Sequence, residues 1–216
     1  MTDFIIHGIP GSPFMRAVQI ALEEKRAPYR IHALSPTTLR ADEYRKLHPF
    51  ARVPAIEHGD FQLYETQAIL RYIDAAFPEP RLQPRDRYAI GRMNQIMGIN
   101  DWYLFPNVAR IVVFERIIAP FLLGKAPDEQ AIAAALPAGK LCVDELNRLL
   151  GANAYFAGAE FSLADILLAP QLYYLAATPE GSALIDDTPL AAWLERVCAR
   201  PSLVATLPPE GLRKAA

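Results

Sequence analysis

The sequence predicts an α/β domain with a mixed four-stranded sheet, followed by an all-α domain. Three observations lead to this fold class. Over the first 77 residues, short apolar runs alternate with helical patterns in the order βαβ and then ββα. Residues 78–86 then contain three prolines among charges, which disfavours both helix and strand. Every long segment beyond them has helical spacing. We therefore expect domains at 1–77 and 87–216, joined by a linker at 78–86.

The first predicted strand and helix flank a turn at residues 8–16. Phe4-Ile5-Ile6 has the apolar character of a buried strand, and apolar residues recur at helical spacing from Val18 to Leu22. Ser12 therefore lies between a strand end and a helix start, where unpaired N–H groups attract anions. An ordinary helix cap is the other interpretation of Ser12, and the turn taken alone favours the cap.

The remaining elements of the first domain follow in order. Residues 29–33 predict a second strand, parallel to the first. Residues 35–47 are polar and predict a loop with a weak helical turn. Pro54 stands at the start of a third strand, and residues 55–64 predict an antiparallel hairpin around a Gly-Asp turn. The helix at 67–77 follows, with Thr66 as its expected N-cap.

The second domain is predicted to contain four long helices, at residues 87–123, 128–150, 163–177 and 188–200. Pro106 and Pro120 should kink or end the first of these. Ser162 and Asp165 have the spacing of a capping box. We expect Tyr173, Tyr174 and Trp193 to lie in the core, as large aromatic residues usually do.

Composition excludes several classes of function. The 216 residues carry 22 Lys and Arg against 24 Asp and Glu, so we expect no nucleic-acid or membrane partner. The amino terminus lacks a secretory pattern, and the richest apolar stretch, residues 117–123, is far shorter than the ~20 residues of a membrane span. Neither the two cysteines nor the four histidines have metal-ligand spacing, so no metal is expected. These features indicate a cytoplasmic protein.

Several motifs together resemble the glutathione S-transferase family. They stand in the expected order: residues 10–18 around Ser12, His48-Pro49-Phe50 through Val53-Pro54, the hairpin, Glu65-Thr66, and Ser162-x-x-Asp165. The resemblance covers nearly the whole chain and points to a branch with a catalytic serine, similar to the phi and theta classes. It implies a thioredoxin-like first domain, a cis Pro54, and glutathione as co-substrate without a metal.

The resemblance also implies roles for individual residues. Ser12 would donate a hydrogen bond to the glutathione thiolate, and the backbone of Val53 would pair with the cysteinyl part of the tripeptide. Glu65 would bind the α-amine, and Thr66 the γ-glutamyl carboxylate. Arg40 and Arg52 are candidates for the glycyl carboxylate, with plain surface solvation an equal alternative for both.

The electrophile is expected to be a small hydrophobic molecule. The resemblance implies a pocket between the domains, and the candidate apolar residues are Phe14, Met15, Trp102, Tyr103 and Phe105. Core packing is the competing interpretation for each of them. The family further implies a homodimer, in which Phe50 would contact the partner and Asp101 would reach the partner's glutathione.

Two other functions compete with glutathione transfer. One is a binding or assembly module that keeps the fold and conjugates nothing. The other is a glutathione-dependent isomerase, dehalogenase or peroxidase on the same scaffold. The turn at Ser12 lacks the serine- and cysteine-rich sequence that is usual in the isomerases, but the sequence separates these activities no further.

Overall fold

The computed structural model describes residues 3–215 and divides into two compact units. The first unit contains the described residues up to Leu82 together with Pro201–Pro209, and the second contains Gln83–Arg200 and the chain from Glu210 onward. The predicted second domain, residues 87–216, therefore needs a correction near its carboxyl-terminal end. Residues 201–209 belong to the first unit because Leu203, among others, is fully buried there.

The first unit contains a mixed four-stranded sheet, as predicted. Its strands are β1 (Phe4–Gly8), β2 (Arg30–Ala33), β3 (Ala55–His58) and β4 (Phe61–Tyr64), in the spatial order β2-β1-β3-β4. β1 and β2 are parallel, whereas β3 pairs antiparallel with both β1 and β4. Parallel strands need a crossover, and the helix after β1 supplies it.

Three helices accompany this sheet: α1 (Pro13–Lys25), α2 (Asp42–Leu47) and α3 (Thr66–Ala76). α1 and α3 pack against each other and bury apolar side chains such as Ile20 and Ile69. The stretch at 35–47, predicted as a loop with a weak helical turn, is more helical than expected and holds a 3₁₀ turn (Thr38–Arg40) and α2. Tyr44 is the reason, because its buried side chain anchors α2 to an apolar cluster.

The second unit is helical, as predicted. One continuous helical run comprises α4 (Arg87–Ile99), a π-helical segment (Asn100–Ala109), α5 (Arg110–Val113) and a second π-helical segment (Phe114–Leu123). Pro106 and Pro120 lie inside the π-helical segments and do not end the run. A proline has no N–H to donate, so each one leaves a gap in the α-helical ladder, and both gaps coincide with a shift to the wider geometry.

The later helices are α6 (Glu129–Leu150), α7 (Leu163–Ala176), α8 (Pro179–Ile185), α9 (Pro189–Cys198) and α11 (Glu210–Ala215), while α10 (Pro201–Ala205) lies in the first unit. The capping box at Ser162 is present, and the carboxylate of Asp165 accepts hydrogen bonds from Ser162, the Phe156 N–H and Trp193 Nε1. Trp193 and Tyr174 are buried, as expected, and Tyr173 is half-buried. Within residues 3–215, no helix is long and apolar enough to cross a membrane.

Candidate active site

The register of the sheet brings three loops to one end of the strands. His7 pairs with Ala55, and Ala55 pairs with Tyr64, so the end of β1, the start of β3 and the end of β4 lie side by side. The turn with Ser12 follows β1, Pro54 directly precedes β3, and Glu65 and Thr66 directly follow β4. Residues that are distant in the sequence therefore meet at one end of the sheet.

Ser12 is the N-cap of α1. Its Oγ accepts a hydrogen bond from the Met15 N–H at 3.5 Å, at the outer limit for such a bond, and Pro13 occupies the first helical position. The hydroxyl is half-buried, and accepting this bond leaves its own proton available for donation. The first turn of α1 adds positive partial charge beside it. Both interpretations of Ser12 are therefore compatible in this geometry, since the cap uses the oxygen and not the proton.

The Val53–Pro54 peptide bond is cis, as the sequence resemblance implies. Pro54 is buried and Val53 packs against an apolar cluster that includes Leu34, Tyr44 and Ala55. The hydroxyl of Tyr44 donates to the Arg52 carbonyl at 2.5 Å. Burial raises the pKa of Tyr44 to about 12, so this hydroxyl remains a donor throughout the physiological range.

Tyr44 was missed by sequence reasoning as a residue that supports the site. It fixes the backbone directly before the cis peptide, although it stands in a stretch that is otherwise polar. The signal that could have found it is the isolated aromatic residue at 44 among the charges of residues 42–46. A single apolar residue in a short amphipathic turn often marks its buried side.

Glu65 and Thr66 open α3, with one correction to the prediction. The N-cap is Glu65 and not Thr66, which is the first helical residue. Glu65 has φ 71°, a backbone conformation that residues other than glycine rarely adopt, and its exposed side chain makes no cap hydrogen bond. Such strain persists where surrounding structure enforces it, and it is common at binding sites. Thr66 is 8% exposed and lies at the positive end of the helix dipole.

The two candidate arginines are both exposed. Arg40 ends the 3₁₀ turn that follows β2, and Arg52 precedes the cis peptide. β2 ends beside Gly8, at the same end of the sheet, and Arg40 follows about seven residues after that strand. Their exposure is equally compatible with surface solvation, so their contact with a ligand stays a prediction.

The candidate electrophile residues differ in their surroundings. Trp102 and Tyr103 are 76% and 59% exposed, which contradicts core packing for both, whereas Phe105 and Phe14 are half-buried. Met15 requires a correction, because its side chain is only 1% exposed. It packs so closely over Gly8 that an added Cβ there would lie 2.7 Å from the Met15 sulfur. Met15 is therefore primarily a core residue.

The histidine at the end of β1 has a structural contact. His7 Nε2 lies 2.9 Å from the Glu57 carboxylate, and this hydrogen bond lowers the pKa of Glu57. Across residues 3–215, no group of three or more His, Cys, Asp or Glu side chains is arranged to hold a metal ion. Cys142 is buried, which raises the pKa of its thiol, and Cys198 is half-buried.

Two family profiles match this chain. One, described as glutathione S-transferase, N-terminal domain, matches residues 6–81, and the other, glutathione S-transferase, C-terminal domain, matches residues 129–196. A glutathione S-transferase from Hyoscyamus muticus is 32% identical over 91% of this chain and 94% of its own length. A probable glutathione S-transferase, GSTF1 from Oryza sativa subsp. japonica, is 28% identical over 98% of this chain and all of its own length.

Solved structures give the same result. Glutathione transferase F7 from Populus trichocarpa superposes with a TM-score of 0.86 at 25% identity, covering 97% of this chain and 99% of the other. A glutathione S-transferase I, solved with the ligand lactoylglutathione, has a TM-score of 0.83 at 25% identity over 94% and 97% of the two chains.

Proposed function

Because the chain belongs to the glutathione S-transferase family, we propose that it transfers glutathione to a small hydrophobic electrophile, with Ser12 stabilising the glutathione thiolate. The observation that carries this proposal is the convergence of Ser12, the cis Val53–Pro54 peptide and Glu65-Thr66 at one end of the sheet. No two of these features are close in the sequence, yet glutathione would need all of them. The resemblance supplies their roles.

The chemical requirement is to keep the thiol ionised at neutral pH. A free thiol has a pKa of about 8.5 and is mostly protonated there, so the site must favour the anion. The Ser12 hydroxyl can donate one charge-assisted hydrogen bond, and the amino end of α1 adds a favourable potential. A hydrogen bond to a charged group contributes about 1.5–3 kcal/mol, which lowers a pKa by about one to two units. A protein base is not needed, because a thiol whose pKa is lowered to about 7 gives its proton to solvent at neutral pH.

The other groups of glutathione have matching protein partners at the same end of the sheet. The exposed carboxylate of Glu65 would bind the α-amine, and the Thr66 hydroxyl and N–H would bind the γ-glutamyl carboxylate at the start of α3. The backbone of Val53 would pair with the cysteinyl peptide group. Arg40 or Arg52 would neutralise the glycyl carboxylate.

The electrophile would meet the thiolate on an aromatic surface. Phe14 lies two residues after Ser12, and Trp102, Tyr103 and Phe105 lie in the first π-helical segment. Segments of this kind are frequent at functional sites. Exposed aromatic rings favour a flat apolar substrate, such as an aryl halide. The same proposal includes a role in detoxification. It also includes a cytoplasmic location, where glutathione is kept reduced.

The proposal includes a homodimer. Phe50 is 68% exposed beside the cis-peptide loop, and its ring touches those of His48 and Tyr64 edge-on. An exposed ring held in place by its neighbours suits an anchor for a partner surface. Sedimentation of the native chain and of Phe50→Ala tests this point. We expect a dimer for the native chain and a larger monomer fraction for the variant.

The decisive experiment combines calorimetry with an assay of turnover. We expect glutathione to bind with a dissociation constant below the millimolar range and 1-chloro-2,4-dinitrobenzene to be conjugated. Binding without turnover of any aryl or alkyl halide, epoxide or peroxide would favour the binding module. No binding at millimolar glutathione would refute the proposal. Comparing the panel of electrophiles distinguishes conjugation from peroxidase and dehalogenase activity.

A further inference from the structure

A segment near the carboxyl terminus packs against the helix that begins at Ser12. We call Pro201–Pro209 the C-terminal strap; it belongs to the first unit, although more than a hundred residues separate it from the rest of that unit. Leu203 is fully buried, and Thr206 is 5% exposed. Thr206 Oγ1 donates to the Ser202 carbonyl at 2.8 Å, so the strap also has internal order.

Two side-chain contacts tie the strap to α1. Arg16 Nη2 donates to the Leu203 carbonyl at 3.1 Å, and the guanidinium group is buried, with Arg16 only 2% exposed. At the other end of the helix, Ser202 Oγ donates to Glu24 at 2.5 Å. A buried guanidinium group must be hydrogen-bonded, because removing its charge from water is costly. The Arg16 contact therefore fixes the strap against the helix in one arrangement.

Arg16 is also linked to the candidate catalytic turn. Its backbone N–H donates to the Ser12 carbonyl at 2.9 Å, which closes the first turn of α1. Pro10 and Gly11, directly before Ser12, line a cavity of about 230 Å³ together with Arg16, Thr206 and Pro208. The strap and the turn that carries Ser12 thus line the same cavity, and Arg16 contacts both, the turn through its backbone N–H and the strap through its guanidinium group.

We propose that Arg16 is a positioning residue, which clamps the C-terminal strap onto α1 and thereby holds Ser12 and the first turn of the helix in the geometry that stabilises the glutathione thiolate. This inference rests on the proposed function. Arg16 would act through Ser12, since its guanidinium group is buried and bonds the strap. A hydrogen bond to sulfur is directional, and small misplacements of a catalytic group reduce the rate strongly.

The principal test is Arg16→Lys, with Arg26→Lys as a matched control. Lysine keeps the charge but lacks the planar fork that reaches the Leu203 carbonyl. Arg26 caps the opposite end of α1 and is exposed. Four properties are measured. They are the thiol pKa of bound glutathione by ultraviolet absorbance, kcat/KM for an aryl halide, the affinity for S-methylglutathione, which has no thiolate, and the rate of amide hydrogen exchange in residues 8–16.

We expect Arg16→Lys to raise the thiol pKa by about one unit and, at a pH at least about one unit below the native thiol pKa, to lower kcat/KM about tenfold, since the ionised fraction there changes tenfold per unit. Affinity for S-methylglutathione should stay within about twofold of the native value, and exchange in residues 8–16 should become faster. Arg26→Lys should match the native chain. Ser202→Ala, which releases the strap from Glu24, should change the thiol pKa in the same direction by less.

The proposal is overturned if Arg16→Lys lowers the melting temperature but leaves the thiol pKa and kcat/KM native, because Arg16 would then be purely structural. The proposed function can fail separately. If the native chain does not ionise bound glutathione, that function is wrong, and hydrogen exchange still tests the clamp. Unchanged exchange in residues 8–16 of Arg16→Lys would then refute the coupling between strap and turn.

Discussion

Lys25 Nζ lies 2.5 Å from Asp74 Oδ1, and the two side chains are 0% and 6% exposed. The same ammonium group donates to the Pro80 carbonyl at 2.5 Å, while the Leu82 N–H donates to the same carboxylate oxygen. This buried ion pair therefore joins α1 to α3 and fixes the segment at 80–82, where the first unit ends. Both charges depend on each other because neither is in contact with bulk water.

Removing one member of this pair should be strongly destabilising. We expect Asp74→Ala to lower the free energy of unfolding by about 3–5 kcal/mol, because Lys25 would remain buried without its partner. Urea denaturation measures the loss. Asp144→Ala is the matched control, since Asp144 pairs with Lys140 on the surface and should cost at most about 0.5 kcal/mol. Equal losses in the two variants would contradict the role given to burial.

A glycine in α6 should mark a close helix crossing. A Cβ added to Gly139 would lie 2.8 Å from Val108 Cγ2 in the first π-helical segment. We expect Gly139→Ala to destabilise the protein by about 1–3 kcal/mol through overpacking. Gly91 in α4 has nothing within 4 Å of such a Cβ, so Gly91→Ala should instead stabilise by about 0.5–1 kcal/mol. Shifts of the urea midpoint in opposite directions, relative to the native chain, would establish the difference. Shifts in the same direction would count against it.

The contact between His7 and Glu57 should make stability depend on pH in the acidic range. The hydrogen bond from His7 lowers the pKa of Glu57 in the folded state. A carboxyl group with a lowered folded pKa stabilises the fold above its unfolded pKa of about 4.3 and loses this contribution as pH falls through the folded value. We expect His7→Phe to be less stable than the native chain by about 0.5 kcal/mol at neutral pH.

This difference should diminish as pH falls below about 4, where the Glu57 carboxylate begins to be protonated in the native chain as well. Urea denaturation at a series of pH values measures it. Arg30→Gln is a suitable control, because Arg30 pairs with Asp3 on the surface, where both side chains are more than 60% exposed. The stability difference between the native chain and His7→Phe could instead stay constant down to about pH 3, roughly one unit below the reference pKa of Glu. Packing, and not the ionised Glu57, would then be responsible.

The sequence was sufficient for the sheet and for most helices, because their signals are local. The alternation of short apolar runs predicts β1 to β4, and Ser162 with Asp165 predicts the start of α7. The N-cap of α3 was misplaced by one residue, because nothing in the sequence around Glu65 indicates its positive φ. That conformation is imposed by the surrounding structure, which a local pattern does not contain.

Tertiary contacts decided the other differences. The strap joins the first unit through the burial of Leu203 against residues far away in the sequence. Met15 follows Ser12 closely and looked suitable for a substrate pocket, but Gly8 leaves room for its side chain in the core. Trp102 shows the opposite case, since an aromatic residue with helical spacing is exposed where core packing was the more common expectation. Spacing alone identifies a helical face but not what covers it.

Thr66 should contribute to glutathione affinity through its hydroxyl. We expect Thr66→Ala to weaken the binding of S-methylglutathione by about five- to tenfold, the equivalent of one lost hydrogen bond of ~1 kcal/mol. Thr66→Ser keeps the hydroxyl at the first position of α3 and should bind within about twofold of the native chain. Calorimetry measures both. If the alanine and serine variants bind equally well, the γ-glutamyl carboxylate does not use this side chain.

Ser12 offers the sharpest prediction, because its two roles can be separated. Ser12→Ala and Ser12→Gly both remove the hydroxyl, but alanine is a poor N-cap and glycine a good one, so they should differ in stability by about 1 kcal/mol. As a donor to the thiolate, Ser12 should matter equally in both. We expect kcat/KM to fall about a hundredfold in each variant, as for the loss of one donor to a reacting anion, and the thiol pKa of bound glutathione to rise. Thermal melting, the pH profile of kcat/KM and thiolate absorbance together decide. If activity instead follows stability, with the glycine variant close to native, then Ser12 serves the helix and not the thiolate.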